Sequence, residues 1–215
     1  MNLKLYFHPL SSFCQKVLVA LYENATPFEP VLVDLSKPEE RDALRKLYPM
    51  GKFPVLRDES RNATVPESTI IVEYLDCHYR GATPLIPADA DAARQVRACD
   101  RFIDLYIQDS LQKIVGDRLR PADGRDPIGV AHARDRLTAA YGMLDRDLEG
   151  RTWAAGEAFT MADCSAAPAL FYANEVQAFG SEHRNLAAYF QRLRARPSYA
   201  RAFEESKPYF HLFPR

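Results

Sequence analysis

The chain has 215 residues, of which 47% are hydrophobic and 27% charged, and 28 basic and 29 acidic residues give it a net charge of −1. This length allows one or two domains with a proper core, and the apolar fraction excludes an intrinsically disordered chain. The balanced charge argues against a nucleic-acid-binding or membrane-surface protein, because both carry a basic excess. No run approaches the roughly 18–20 apolar residues of a membrane span, and the N-terminal apolar run is too short for a signal peptide.

The first 80 residues alternate between strand and helix patterns. Strands are predicted at 2–7, 28–34, 55–58 and 63–65, and helices at 12–24, 39–47 and 68–79. The order β-α-β-α-β-β-α indicates a small α/β domain with a right-handed crossover. A polar stretch with prolines follows and predicts a linker.

Beyond the linker the sequence shows helical periodicity and no convincing strand, which predicts an all-helical domain. A long amphipathic helix is predicted from 92 to 114, and further helices at 130–148, 161–176, 186–196 and 199–203. Thr160 and Asp163 match a capping box at the start of the helix at 161–176. Pro168 is expected to kink that helix.

Four cysteines lie far apart in the sequence, at Cys14, Cys77, Cys99 and Cys164. They form no Cys-x-x-Cys pair and do not have the spacing of zinc ligands. We therefore expect reduced thiols in a cytoplasmic protein with no bound metal.

Ser11 and Ser12 lie at the predicted turn from the first strand into the first helix. The first turn of a helix has free N–H groups and a positive dipole end, so it stabilises an anion. A serine hydroxyl there would donate a hydrogen bond to a bound thiolate; the alternative is that it only caps the helix. The loop also resembles the Cys-Pro-Phe-Cys motif of glutaredoxins with serine at the attacking position. Cys14 is then either a resolving cysteine or a small buried residue.

A serine hydrolase fits poorly, because the sequence has no Gly-x-Ser-x-Gly motif.

Pro54 precedes a predicted strand, where a cis bond would make a tight turn and leave the backbone of Phe53 open to a peptide ligand. Lys52 is either a partner for a ligand carboxylate or a solvated lysine. Glu67 and Ser68 open the third helix, where they would suit the ammonium and carboxylate of an amino-acid head group.

Together these segments resemble the cytosolic glutathione transferases. The matching motifs occur in the family's order and spacing: His8-Pro9-Leu10-Ser11, Gly51-Lys52-Phe53-Pro54, Glu67-Ser68, Trp153-Ala154-Ala155-Gly156 and Phe159-Thr160-Met161-Ala162-Asp163. The likeness covers nearly the whole chain and is strongest to bacterial members similar to the serine-using phi, theta and zeta classes. It implies an α/β thioredoxin-like N-terminal domain at 1–80, a linker at 81–88 and an all-α helical-bundle C-terminal domain at 89–215.

The resemblance also implies a glutathione site in the first domain. It implies that Ser11, or Ser12 if the register differs by one, contacts the sulfur of glutathione. It implies that Pro54 is cis and that Phe53 pairs with the cysteinyl backbone.

The two ends of the tripeptide are assigned in the same way. The resemblance implies that Lys52 faces the glycine carboxylate, with Arg41 as a further candidate, and that Glu67 and Ser68 hold the γ-glutamyl head. It implies that Met50 inserts into a partner subunit of a homodimer; the alternative is an exposed loop methionine.

The implied reaction conjugates glutathione, as co-substrate, to a small hydrophobic electrophile. A free thiol has a pKa of about 8.5, and lowering it by two units takes about 2.7 kcal/mol. One hydrogen bond to the charged sulfur, at about 1.5–3 kcal/mol, and a helix N-terminus, at about 0.3–1 kcal/mol, are enough without a metal. The alternatives are a glutathione-dependent thiol–disulfide reductase or peroxidase, based on Cys14, and a non-catalytic ligand-binding relative.

A pocket for the electrophile is expected beside the sulfur. Its predicted lining consists of Leu10, Phe13, Phe102, Tyr106 and Ser110, with 209–212 as a further candidate segment. An aromatic stripe on a helix is more often part of a core, which is the alternative for Phe102 and Tyr106.

Overall fold

The computed structural model describes residues 2–214; Met1 and Arg215, the end residues of the predicted domains, lie outside them. The described residues form two compact units. The first runs to Ile86 and also contains Pro197–Phe210, and the second contains Pro87–Arg196 and the residues from His211 onward.

A four-stranded sheet in the order β2-β1-β3-β4 forms the centre of the first unit. Its strands are β1 (Leu3–Phe7), β2 (Glu29–Leu32), β3 (Val55–Asp58) and β4 (Ala63–Pro66). β1 runs parallel to β2 and antiparallel to β3, and β3 runs antiparallel to β4. Alternate residues of β1 are buried, as the period of two in a strand requires.

Four α-helices accompany this sheet: α1 (Ser12–Glu23), α2 (Pro38–Leu47), α3 (Ser68–His78) and α9 (Pro197–Ser206). Between α3 and α9, the chain from Pro87 to Arg196 belongs to the second unit. The mixed sheet with its helices matches the thioredoxin-like fold predicted for the N-terminal domain.

The C-terminal segment differs from the predicted division, which placed all of 89–215 in the helical domain. α9 packs against α1 and belongs to the first unit. The Tyr22 hydroxyl donates to Glu205 at 2.6 Å, and Arg201 lies 3.9 Å from the centre of the Tyr22 ring. The Ser198 hydroxyl donates to Glu23 at 2.7 Å. These contacts join segments about 180 positions apart, which sequence periodicity does not indicate.

The second unit is helical, as predicted. Its helices are α4 (Ala90–Phe102), α5 (Asp109–Arg118), α6 (Pro127–Asp147), α7 (Met161–Val176) and α8 (Arg184–Ala195). A π-helical turn, Ile103–Gln108, joins α4 to α5, and a short 3₁₀ segment occurs at Ala122–Gly124. A second 3₁₀ segment, Lys207–Leu212, begins in the first unit. α7 continues through Pro168. In the part of the chain that the structure describes, no helix has both the length and the apolar character needed to cross a membrane.

The predicted long helix at 92–114 was wrong in one respect, because the π-helical turn interrupts it. Between 100 and 107, the buried positions lie one residue beyond those predicted from the regular period. Ile103 and Ile107 therefore point into the core, at 1% and 0% exposure. Tyr106, which the regular period placed on the apolar face, is 45% exposed.

Asp163 is a fully buried carboxylate at the start of α7. It accepts from the Thr160 backbone N–H at 2.8 Å, which is half of the predicted capping box. It also accepts from the Tyr189 hydroxyl at 2.7 Å and the Ala154 N–H at 2.9 Å. Burial raises the pKa of Asp163, and these hydrogen bonds oppose that rise. Asp163 therefore connects α7, α8 and the loop before α7.

Replacing Asp163 by alanine is expected to lower the free energy of unfolding by about 2–5 kcal/mol, because a cap is lost and buried donors are left unpaired. Chemical denaturation followed by circular dichroism measures this. Asp109→Ala is the matched control, since Asp109 is exposed and paired with Arg136; it is expected to change stability by no more than about 0.5 kcal/mol. Equal effects of the two substitutions would contradict the structural role of Asp163.

Asp58 stabilises the β3–β4 hairpin. Its side chain is fully buried and accepts from Ser60 Oγ at 2.6 Å and from the Arg61 N–H at 3.2 Å. The hydroxyls of Tyr74 and Tyr79 donate to its other oxygen at 2.8 and 2.5 Å. Burial alone would raise the pKa of Asp58, but the hydrogen bonds outweigh it and hold the pKa well below its usual range.

This lowered pKa makes the stability of the fold depend on pH. The unfolded chain binds a proton at Asp58 more readily than the folded chain, so stability falls as the pH drops below about 5. Asp58→Asn is expected to lower the free energy of unfolding at pH 7 by about 2 kcal/mol and to flatten this acid dependence. Denaturation curves between about pH 3 and 7 measure it, with the exposed Asp42→Asn as the control. An unchanged acid slope in Asp58→Asn would show that another carboxylate is responsible.

Candidate functional site

The strand register places the predicted site loops at one edge of the sheet. Tyr6 near the end of β1 pairs with Val55 at the start of β3, and Val55 pairs with Pro66 at the end of β4. The loop after β1 carries Ser11, the loop before β3 carries Phe53 and Pro54, and the residues after β4 are Glu67 and Ser68. Antiparallel pairing therefore brings three segments together that are separated by up to 57 positions in the sequence.

Two helices begin at this edge, since α1 follows β1 and α3 follows β4. Neither helix has an acidic residue in its first turn. The positive ends of both helix dipoles are thus left without a neutralising carboxylate in that turn. The edge is suited to negatively charged groups of a ligand.

Ser11 is the N-cap residue of α1, with extended backbone angles. Its hydroxyl oxygen accepts from the Cys14 N–H at 3.4 Å, and its own N–H donates to the His8 carbonyl at 3.0 Å. Ser11 is half-buried, whereas Ser12 is buried at 6% exposure. Accepting at the cap leaves the hydroxyl hydrogen of Ser11 able to donate, so capping and binding of an anion are compatible.

The loop before β3 lies beside the first loop. The peptide bond between Phe53 and Pro54 is cis, and the ladder with β1 begins only at Val55. The rings of His8 and Phe53 stack with centroids 6.1 Å apart. Lys52 is exposed in the same loop.

Arg41 lies on α2, which follows β2 at the same edge of the sheet. Its side chain is half-buried. Among residues 2–214, its buried Nε finds no hydrogen-bond partner. This guanidinium nitrogen therefore keeps a donor for an added group.

Glu67 occupies a strained position at the start of α3. Its φ is +69°, which is uncommon for a residue with a side chain. The side chain is exposed, and the Tyr48 hydroxyl donates to it at 2.7 Å. Ser68 follows as the first residue of α3 and is buried at 5% exposure.

The residues predicted to line an electrophile pocket differ in burial and in the unit to which they belong. In the first unit, Leu10 and Phe13 are half-buried on either side of the serines. In the second unit, Phe102 and the exposed Tyr106 pack together with ring centroids 5.1 Å apart. Ser110 is fully buried, and its hydroxyl donates to the Tyr106 carbonyl at 2.8 Å. Ser110 thus contributes to helix packing and offers no surface to a ligand, which corrects its predicted role.

Of the segment 209–212, Tyr209 belongs to the first unit and contacts His8, ring edge to ring face, with centroids 4.8 Å apart. His211 and Leu212 belong to the second unit and are exposed. Among the described residues 2–214, no group of three or more His, Cys, Asp or Glu side chains is arranged to hold a metal ion.

Comparison with known proteins agrees with this geometry. The family model for the N-terminal domain of glutathione S-transferases matches residues 5–83, and the model for their C-terminal domain matches residues 103–197. A glutathione S-transferase of Pseudomonas putida is 30% identical over 161 residues, which cover 75% of this chain and 70% of that protein. The chain belongs to the glutathione S-transferase family. The predicted family, enzyme class and fold class are confirmed.

Two further relatives cover more of this transferase. The glutathione S-transferase GstB of Escherichia coli is 26% identical over 190 residues, covering 87% of this chain and 91% of that protein. A crystal structure of a glutathione S-transferase from Methylobacillus flagellatus, with glutathione bound, superposes with a TM-score of 0.85 at 28% identity. That match covers 93% of this chain and 98% of the other.

Two contacts of this transferase site were missed by the sequence analysis. Tyr48 was assigned no role from the sequence, and His8 was used only as part of a motif. Their partners, Glu67 and Tyr209, are 19 and 201 positions away, and no spacing rule connects such pairs. The one available signal is that Tyr48 and His8 each stand at the end of a predicted element.

Cys14 is the residue on which the disulfide-reductase alternative depends. It is fully buried in the first turn of α1. Burial raises the pKa of its thiol to about 12, although the Ser11 hydroxyl opposes that rise. A thiol in this state is a poor nucleophile at neutral pH. The structure therefore favours the reading of Cys14 as a packing residue.

The four thiols of this transferase are expected to differ in reactivity. In native protein at about pH 8, iodoacetamide should modify the exposed Cys77 first and leave Cys14 almost unreacted, because only an accessible thiolate attacks. Peptide mass spectrometry over a time course measures both rates. After denaturation the two cysteines should react alike, which is the control. If Cys14 in native protein were modified as fast as Cys77, the result would support the thiol–disulfide reductase alternative.

Proposed function

We propose that this glutathione S-transferase conjugates the thiolate of glutathione to a small hydrophobic electrophile. The observation that carries the proposal is the meeting of three loops and two helix N-termini at one edge of the sheet. Each loop offers groups that complement a different part of the tripeptide.

The two charged ends of glutathione are assigned to opposite sides of this edge. Glu67 accepts from the γ-glutamyl ammonium, while the start of α3 at Ser68 donates to the adjoining carboxylate. Lys52 and the guanidinium group of the half-buried Arg41 pair with the glycine carboxylate. The backbone of Phe53, outside the strand ladder, pairs with the cysteinyl residue in extended fashion.

Ser11 supplies the hydrogen bond that ionises the sulfur. Its hydroxyl donates to the thiolate and keeps its proton, while the thiol proton is released to water. A hydrogen bond to a charged group contributes about 1.5–3 kcal/mol and the α1 N-terminus about 0.3–1 kcal/mol. Their sum reaches the roughly 2.7 kcal/mol that lowers a thiol pKa by two units.

The bond-forming step then requires only that the electrophilic carbon be held next to the thiolate. The thiolate sulfur gives an electron pair to an electrophilic carbon, and the leaving group departs with the pair of the broken bond. Leu10 and Phe13 give the first unit apolar surface next to Ser11. Such a surface favours a hydrophobic electrophile over a charged one.

We also propose a cytoplasmic homodimer with a role in detoxification. Met50 is 64% exposed in the loop before β3 and is the side chain proposed to enter the partner subunit. A large exposed apolar side chain in a loop is suited to burial in such an interface. The absence of paired cysteine spacing supports a reducing compartment.

The test of the proposed function compares two variants at residue 11. Ser11→Ala is expected to lower kcat/KM with a general electrophile by about 10- to 100-fold and to raise the pKa of enzyme-bound glutathione by one to two units, because the donor is lost. Ser11→Thr keeps a hydroxyl and a cap, so it should retain more activity. Stopped-flow assays against pH and thiolate absorbance measure both quantities.

Stability is followed in parallel, since Ser11→Ala also loses a cap worth about 0.5–2 kcal/mol. Folded Ser11→Ala with an unshifted thiol pKa would contradict the role of Ser11. If only Ser12→Ala lost activity, the role of sulfur ligand would belong to Ser12 and not to Ser11. Tight glutathione binding by the wild-type chain without turnover of any electrophile would favour the ligand-binding alternative.

A further inference from the structure

A tyrosine connects the two loops that would hold opposite parts of glutathione. The Tyr48 hydroxyl donates to Oε1 of Glu67 at 2.7 Å. Tyr48 is the C-cap residue of α2, and Glu67 is the N-cap residue of α3. The bond thus joins the end of one helix to the start of another.

Tyr48 is itself fixed at both its backbone and its ring. Its N–H donates to the Leu44 carbonyl at 2.9 Å, and its carbonyl accepts from the Gly51 N–H at 2.8 Å. Gly51 closes that four-residue turn with a φ of +61°, which glycine adopts without strain. The ring packs against a buried cluster of Val33, Leu44 and Val55. The phenol is therefore presented from a rigid support.

Glu67 has no comparable support of its own. Its side chain is exposed and makes no capping hydrogen bond to α3. A glutamate that must be ordered when a ligand arrives loses affinity through the lost rotamer freedom. The bond from Tyr48 orders the carboxylate in advance and leaves Oε2 to accept from a ligand.

The protonation state of Tyr48 suits this role. The hydrogen bond to Glu67 raises the pKa of Tyr48. The phenol is therefore a neutral donor at pH 7.

We propose that Tyr48 is a positioning residue that fixes the Glu67 carboxylate for the α-ammonium group of the γ-glutamyl head. Tyr48 would then set the preference of this site for tripeptides with a free α-amino group over those without one. This inference rests on the proposed function and adds to it the selectivity of the γ-glutamyl end.

The experiment measures binding of two ligands by isothermal titration calorimetry. One is S-methylglutathione, and the other is its analogue with hydrogen in place of the α-amino group. Tyr48→Phe keeps the ring and removes only the hydroxyl, and it is expected to raise Kd for S-methylglutathione about 3- to 10-fold. Kd for the deaminated analogue should not change. With glutathione and an electrophile, KM for glutathione should rise by the same factor while kcat stays within about twofold, because only ground-state binding is lost.

Two further variants make the result specific. Tyr74→Phe removes another tyrosine–carboxylate bond of the same unit, to Asp58, and should leave both affinities unchanged. Glu67→Gln should weaken S-methylglutathione binding, and adding Tyr48→Phe to it should cause little additional loss, since the two residues act through one interaction.

The outcomes separate this inference from the function on which it rests. A wild-type chain that binds neither ligand would overturn the proposed function itself. Wild-type binding with equal Kd values in Tyr48→Phe would overturn only the role of Tyr48. An equal loss for both ligands would assign Tyr48 to general loop packing and also reject the selectivity role.

Discussion

The antiparallel pairing of β1 with β3 is the constraint on which the site depends. It places the end of β1 beside the start of β3, and the hairpin then returns β4 to the same edge. A shift of one residue in this register would move the buried side chains of β1, such as Leu5, to the opposite face of the sheet. Burial of that face therefore also fixes where Ser11 and Glu67 stand relative to each other.

The arrangement brings several positively charged groups to the edge where an anionic ligand would lie. α1 and α3 both begin at this edge, and Lys52 and Arg41 flank it. The one acidic side chain at the start of α3 is Glu67, and it is turned toward the Tyr48 hydroxyl. A peptide with two carboxylates, a thiolate and one ammonium group matches this distribution of charge better than a neutral ligand does.

The sequence predicted local features well and long-range contacts poorly. β3 and α7 were placed to the residue, because their apolar patterns are strong and their ends carry turn or cap residues. The π-helical turn was missed, since a constant period of 3.6 carries no sign of an inserted residue. The docking of α9 on α1 was also missed, because it depends on pairs such as Tyr22 and Glu205 that no local pattern joins.

In the candidate site, too, local features were predictable and long-range contacts were not. Motif order predicted Ser11, Phe53, Glu67 and Ser68 as site residues, and the pairing of strands brings their loops to one edge of the sheet. The bond from Tyr48 to Glu67 was not predictable, because it requires the α2 and α3 ends to meet in three dimensions.

The burial of α1 explains why serine and cysteine have different roles in one helical turn. α3 and α9 pack against α1, and all of its residues from Cys14 to Leu21 are buried. At the start of α1, Ser11 and Phe13 remain partly open. A thiol at position 14 is therefore held neutral by its surroundings, while an alcohol at position 11 keeps access to a ligand. Because a hydroxyl donor needs no ionisation of its own to stabilise a thiolate, Ser11 can act in the place where this fold leaves no accessible sulfur.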